Sequence, residues 1–433
     1  MKQIEKGNAG EKFVNEIAFN SFMNFWCYPS PKDEKGDKKE ICDLLIIFAD
    51  HTIIISVKNY EFKDNYARYF KKTIHKAVNQ IYGAERKLFK LDRDIFIKHP
   101  EREIKKFPKE QANKVHRVIV NLGEGVRFYP FQKETKDDKF ITLFDKEAFK
   151  TIVEELDTIP DFVEYLTKRE ELFSNKNVII LPGEEEDFPR ETAFQFFKHA
   201  GENFDPTEKT NIVLSGTEHD LLAHYLKNER NFPEVFHSDE YNGLFIQLDG
   251  FWEEFIAKKQ VKKKKELDKN SYFIDELVKR EVLINNNPKS IELAKELLTF
   301  DRFSRRIIAD NFFDFYSSYK DNMGMNLARR YGDMNGKGIV FAFFTPSMED
   351  KMVNVLLEIT LDSFCVFTNY KSSSIILIAT TKDFKQFKIG LLKDIKPFPK
   401  EKELQVREEV KKLGWFTNHQ EFQVTNYEYP NEE

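Results

Sequence analysis

Two short apolar runs constrain this chain most: Leu44-Leu45-Ile46-Ile47-Phe48 and Thr52-Ile53-Ile54-Ile55-Ser56-Val57, with only Ala49-Asp50-His51 between them. Each is rich in β-branched residues, so the pair predicts a tight β-hairpin, although it lacks the Asn-Gly or Asp-Gly turn that such hairpins favour. Both strands are apolar almost throughout, which places the hairpin inside a sheet covered on both faces. With the turn centred between Asp50 and His51, Leu45 faces Ser56 and Asp43 faces Lys58. The two-residue period of a strand then puts Asp43, Leu45, Ser56 and Lys58 on one face. A carboxylate and an ammonium meet at the open end of the hairpin, and a slip of one residue would separate them.

The surroundings of the hairpin read as α/β. Before it, Gly7-Asn8-Ala9-Gly10 leads into Phe13, Val14, Ile17, Ala18, Phe22 and Phe25 near helical spacing, followed by a charged loop from Pro29 to Lys39. After it, a basic amphipathic helix is expected over Tyr66 to Leu91, with Phe70, Ile74, Ala77, Ile81, Ala84 and Leu88 on its buried stripe. Strands follow at Val115–Val120 and Phe140–Phe144. Asp145 caps a helix through Val153, and Asp157 to Pro160 breaks it before another helix from Asp161. Further on, strands are expected at Val178–Leu181 and Ile212–Leu214. A helix begins over Leu221–Leu226, and others cover Ser271–Val282 and Ser290–Phe312. The last hundred residues return to strands at Gly338–Phe344, Val353–Ile359, Ser363–Phe367 and Ile375–Ala379, then a helix over Glu401–Leu413. Boundaries fall near residues 175 and 325.

At 433 residues the chain is too long for one ordinary core. Its 43 Phe against 17 Gly read as a coding bias rather than as a ligand signal. Three cysteines, Cys27, Cys42 and Cys365, lie far apart with no CxxC pair, which fits a reducing cytoplasm and argues against a disulfide framework or zinc site. No apolar leader or bilayer-length run is present, so no membrane partner is expected. The overall charge of −5 conceals an asymmetry. From Lys58 to Arg117 there are 17 Lys and Arg against 8 Asp and Glu. Such an excess beside a candidate site suits a polyanion, although most charge runs are only solvated surface.

Glu11 in Gly10-Glu11-Lys12-Phe13-Val14, Asp43 opening one strand, and Ser56-Val57-Lys58 closing the next are similar to the PD-(D/E)XK, or restriction endonuclease-like, nuclease superfamily. Its pattern is a helix glutamate, a strand aspartate and an acid-x-lysine ending the following strand. The match covers about residues 7 to 85. The resemblance implies a mixed sheet flanked by helices, here over 1–175. The pattern of apolar runs beyond it reads as a mainly helical middle region over 176–325 and an α+β region over 326–433. It implies a Mg2+- or Mn2+-dependent endonuclease, a hydrolase of phosphodiester bonds, with DNA favoured over RNA. It also suggests an antiviral defence effector in a bacterium, and a homodimer or a partner protein. Carried over residue by residue, Glu11, Asp43 and Lys58 are catalytic. Glu11, Asp43 and the Val57 carbonyl hold metal, with Glu40 as a substitute carboxylate. Ser56 and Gln80 support the site. Apart from the resemblance, the charge excess of the basic helix makes Arg68, Lys71, Lys72 and Lys76 the expected nucleic-acid contacts.

Two departures stand out: Cys42 replaces the proline before the aspartate, and Ser56 replaces the second acid, which should weaken metal binding. An impaired nucleic-acid-binding module, or a protein-interaction scaffold, is therefore the alternative. Taken singly, Glu11 could simply complement a helix N-terminus, and Asp43 with Lys58 could be a cross-strand ion pair. Other candidates are weaker. His219 and His224 are five apart, a spacing that does not align two ligands on a helix. Tyr331-Gly332-Asp333-Met334-Asn335-Gly336-Lys337-Gly338 lacks the P-loop pattern and reads as an ordinary turn. The lysines from Lys262 to Lys265 read as a solvated charged helix.

Overall fold

A computed structural model describes residues 10, 12–17, 21–63, 65–123, 139–181, 190–203, 211–237, 243–285, 287–321, 327–416 and 426–430. The chain is α/β and divides into two compact units, Met1–Val261 and Lys262–Glu433.

In the first unit, residues 12–17 are helical (α1), and Val14 and Ile17 are buried. A five-stranded sheet follows, ordered β1-β2-β3-β6-β7. Its strands are β1 (Cys27–Pro29), β2 (Leu44–Phe48), β3 (His51–Lys58), β6 (Lys114–Asn121) and β7 (Thr142–Asp145). β1, β2 and β3 pair antiparallel, whereas β3, β6 and β7 run parallel. Between β3 and β6 lie α2 (Tyr66–Phe70), a π-helical turn over Lys71–His75, α3 (Lys76–Phe89), and the small ribbon of β4 (Phe96–Ile97) and β5 (Lys105–Lys106). The expected stripe of Phe70, Ile74, Ala77, Ile81, Ala84 and Leu88 is buried against Leu45, Ile47, Ile54, Ile119 and Leu143 of the sheet. These helices therefore cover the sheet face that carries Asp43 and Ser56.

The hairpin register differs from the expected one. Phe48 pairs with His51, Leu45 with Ile54 and Leu44 with Ile55, so the turn is Ala49-Asp50 rather than Asp50-His51. Ala49 takes a positive φ of 51° to make it. Moving the turn centre by one residue moves every cross-strand partner by two, so the side chains keep their faces. Asp43 now stands opposite Ser56, with Lys58 one pleat beyond.

Asp145 caps α4 (Lys146–Glu155) by accepting from the Ala148 amide at 2.9 Å. Thr158, rather than Asp161, starts α5 (Ile159–Asn175), and Pro160 sits in its first turn, where a missing N–H costs nothing. A second, fully parallel sheet, ordered β10-β9-β8, follows from β8 (Asn177–Leu181), β9 (Asn211–Ser215) and β10 (Gly243–Gln247). Its helices are α6 (Arg190–Asn203), α7 (Glu218–Lys227), α8 (Glu234–His237) and α9 (Phe251–Ala257). Phe196, Ile179 and Leu181 join the core beneath the first sheet, so that core draws on residues beyond 175.

α10 (Lys259–Asp268) spans the boundary of the units. The second unit holds α11 (Tyr272–Leu277), α12 (Pro288–Leu298) and α13 (Arg302–Tyr319), then a mixed sheet ordered β11-β12-β13-β14. Its strands are β11 (Leu327–Met334), β12 (Lys337–Phe344), β13 (Ser374–Thr381) and β14 (Phe387–Lys393), with α14 (Asp350–Phe367) between β12 and β13, and α15 (Lys400–Lys412) last. Two expectations are corrected. The helix expected over Ser290–Phe312 is two helices, because Asp301 caps α13 through the Ser304 amide at 2.6 Å. The strands expected over Val353–Ile359 and Ser363–Phe367 are one helix, α14. Val353, Leu357, Thr360 and Phe364 are buried at spacings of four, three and four, which is a helical stripe.

Candidate active site

The open end of the hairpin gathers four polar side chains. β2 and β3 are buried strands, so the polar residues at their ends have no apolar core to enter and turn toward one another instead. The chain at Asp43 is held from the other side by the Ser30 amide, which donates to the Asp43 carbonyl at 2.9 Å. The Asp43 carboxylate accepts through Oδ2 from the Val57 amide at 2.7 Å and from Ser56 Oγ at 3.1 Å. Lys58 Nζ lies 3.6 Å from the same oxygen. It donates to Ser56 Oγ at 2.7 Å and to the Val57 carbonyl at 3.0 Å. Gln80 reaches down from α3, its Oε1 3.2 Å from Ser56 Oγ. Ser56 has one proton, so it donates to Asp43 or to Gln80 in turn while accepting from Lys58.

Lys58 has a depressed ammonium pKa. Burial lowers it most; Asp43 opposes that fall, the neighbouring Lys76 adds to it, and Glu40 opposes it. Lys58 therefore senses the charges of Asp43, Lys76 and Glu40. Glu40 is exposed and forms an isolated antiparallel bridge with Lys32. Cys42 is inert: burial pushes its thiol well above the ordinary range, and Sγ faces the Leu44 carbonyl at 3.4 Å.

The structure thus brings together Asp43, Ser56, Lys58 and Gln80, with Lys76 and Glu40 nearby. Glu11 lies outside the described residues. Arg68, Lys71, Lys72 and Lys76 are all exposed, and none has an anionic partner among the described residues. His219 instead contacts Thr151 Oγ1 at 3.0 Å, and His224 stacks on Phe251 at 3.8 Å. Gly83 and Arg86 on α3, and Lys90 at its C-cap, are not among the residues the sequence singles out. The signal was available: Lys76, Asn79, Gly83, Arg86 and Lys90 recur at spacings of three and four, two residues out of step with the buried stripe.

The donor set bears on metal binding. Asp43 uses Oδ2 for its hydrogen bonds and leaves Oδ1 without one among the described residues, and the Val57 carbonyl belongs to the residue whose amide binds Oδ2. Magnesium needs only one or two protein carboxylates and keeps several waters, so these groups fit it as a sparse site. Among the described residues no cluster of three His, Cys, Asp or Glu side chains is placed to hold a metal. Comparison of the chain with family models, curated proteins and solved structures returns no match.

Proposed function

We propose that the first unit is a metal-dependent nuclease that hydrolyses phosphodiester bonds, in keeping with its resemblance to the PD-(D/E)XK superfamily. The observation that carries this reading is the convergence of Asp43 and Lys58 at one strand end, beneath a helix whose Arg68, Lys71, Lys72 and Lys76 are exposed and unpaired among the described residues. Asp43 Oδ1 and the Val57 carbonyl would hold Mg2+ or Mn2+, with Glu40 and Glu11 as further carboxylates. The ion, when bound, polarises the phosphate and acidifies a water. Lys58 keeps an ammonium at the point where charge accumulates on the phosphoryl group, and its own donors to Ser56 and Val57 fix its position. DNA is the proposed substrate and a role in bacterial antiviral defence the proposed setting, both on the resemblance alone.

A second reading, a binding module without cleavage, rests on Ser56, which puts a neutral hydroxyl where the superfamily pattern has an acid. Incubation of supercoiled plasmid and of RNA with Mg2+ or Mn2+ separates the two. Cleavage that Asp43→Ala and Lys58→Ala abolish supports the nuclease. Intact substrate under both metals, with a salt-dependent gel shift, supports the module instead.

A further inference from the structure

α3 has a second flank, away from Gln80, and there a cavity of about 380 Å³ is lined by Asn79, Tyr82, Gly83, Arg86, Lys90 and Lys139, with Glu85 at its floor. At about 100° per residue, Gln80 and Tyr82 stand on opposite sides of the helix's solvent ridge. Lys76, Asn79, Gly83, Arg86 and Lys90 form that ridge. Gly83 is its notch: a Cβ there would meet nothing within 4 Å. A strand crossing from the Gln80 flank to the cavity passes over bare backbone at that point.

The charge of the cavity is one-sided. Glu85 is buried and receives Arg117 Nε at 2.7 Å on one oxygen and Lys139 on the other. Burial pushes its carboxyl up, but Arg117 and Lys139 together outweigh that and hold it below its ordinary value. Its single negative charge is therefore matched before Arg86 and Lys90 are counted. Those two are exposed and have no anionic partner among the described residues. Asn79 supplies a hydrogen-bonding amide at the rim.

We propose that this cavity is a nucleic-acid subsite that takes a phosphodiester unit of the strand flanking the scissile bond, with Gly83 as the crossing point and Arg86 and Lys90 as the phosphate contacts. The proposal rests on the nuclease reading for its substrate but not on cleavage for its test. The probe is a fluorescein-labelled single-stranded DNA oligonucleotide, followed by anisotropy in EDTA across a salt series with the full chain. Removing two phosphate contacts on a single strand should reduce the log–log salt slope by about 1.4. Arg86→Ala with Lys90→Ala should show that loss at unchanged melting temperature, and Gly83→Trp should weaken binding while Gly83→Ala does not. Lys150→Ala with Lys168→Ala removes the same charge elsewhere on the first unit and should leave the slope unchanged. A double variant at Arg86 and Lys90 that keeps the wild-type slope overturns the subsite while leaving metal-dependent cleavage untouched. A wild-type chain that binds no oligonucleotide overturns the subsite whatever it cleaves. Absence of cleavage with binding and slope loss intact removes only the nuclease reading.

Discussion

The Ser56 hydroxyl stands 3.1 Å from the Asp43 carboxylate, and only 1% of Ser56 is exposed. An acid at this position would bury a second carboxylate beside the first with a single ammonium, Lys58, to serve both, which is unfavourable until a further cation enters. Ser56→Asp should therefore lower the melting temperature in EDTA, at about 2–4 °C per kcal/mol for a unit of this size. Mg2+ or Mn2+ should raise the variant's melting temperature by more than it raises that of the wild type. Thermal melts with and without each ion check this. An equal response to metal in both proteins would show that Asp43 and residue 56 do not share an ion site.

Lys58 donates to two oxygens, and its ammonium also sets a positive charge 3.6 Å from the Asp43 carboxylate, which the neutral amine would not. Burial depresses its pKa below the ordinary 10.5, so the charged form is lost at a lower pH than for an exposed lysine. Activity should fall as pH rises through that depressed value. Lys58→Arg should keep measurable cleavage and move the alkaline limb upward, and Lys58→Ala should lose about 10²–10³ in rate. A pH–rate profile that instead climbs through the same range would make Lys58 a general base.

Much of this end of the molecule was legible because it depends on parity. The β-branched runs fixed two strands, and a turn misplaced by one residue left Asp43, Ser56 and Lys58 on a common face. The helix over α2 and α3 was legible for a similar reason, since its buried stripe repeats for five turns. Turn chemistry hid the register: Ala49 adopts a positive φ with no glycine or asparagine to announce it. In the second unit the reverse holds. Asn335-Gly336, with φ of 54° and 74°, closes a hairpin between β11 and β12, yet β11 carries Arg329, Arg330, Gly332 and Asp333 and offers no apolar run to predict. α14 was misread because Val353, Val355 and Ile359 are β-branched; tertiary packing along a four-residue spacing overrode that propensity. β10 was missed because its alternating exposed pattern contains only Leu244, Phe245 and Ile246.

Three histidines of the first unit make its stability sensitive to acid. His99 is buried, with Nε2 placed to donate to the Asn24 carbonyl at 3.1 Å and Nδ1 accepting from the Glu101 amide at 3.2 Å. Burial first, then Arg102, lowers its pKa to about 4. His51 and His116 stack, with His51 Nδ1 and His116 Nε2 3.0 Å apart, and burial lowers both, His116 to about 3. An unfolded histidine takes up its proton near pH 6.5, but these folded ones do not, so unfolding binds protons below that pH. Stability is full above pH 6.5 and is lost as pH falls from there toward 4, at up to about 1.4 kcal/mol per pH unit for each histidine. Melting temperatures at pH 7.5, 6 and 5 should fall steadily. His99→Gln, which keeps a donor and an acceptor, should flatten the trend by one histidine's share; a slope unchanged by that substitution would exclude His99 as a contributor.

Gly338 opens β12 where α14 crosses it. A Cβ there would lie 2.4 Å from Phe364 Cε1 and 3.1 Å from Ile375 Cγ1. Phe364 has little freedom to retreat, because it is buried and its ring stacks on Tyr331 at 5.0 Å. Gly338→Ala should therefore destabilise the second unit by about 1–3 kcal/mol, as overpacking does. Phe364→Leu alone should also destabilise, by leaving a gap. In the double variant the smaller side chain gives the new methyl its room, so the two costs should sum to more than the combined loss. Urea titrations of the wild type, both single variants and the double variant measure this coupling. Strict additivity would show that β12 yields at Gly338 without any help from the helix above it.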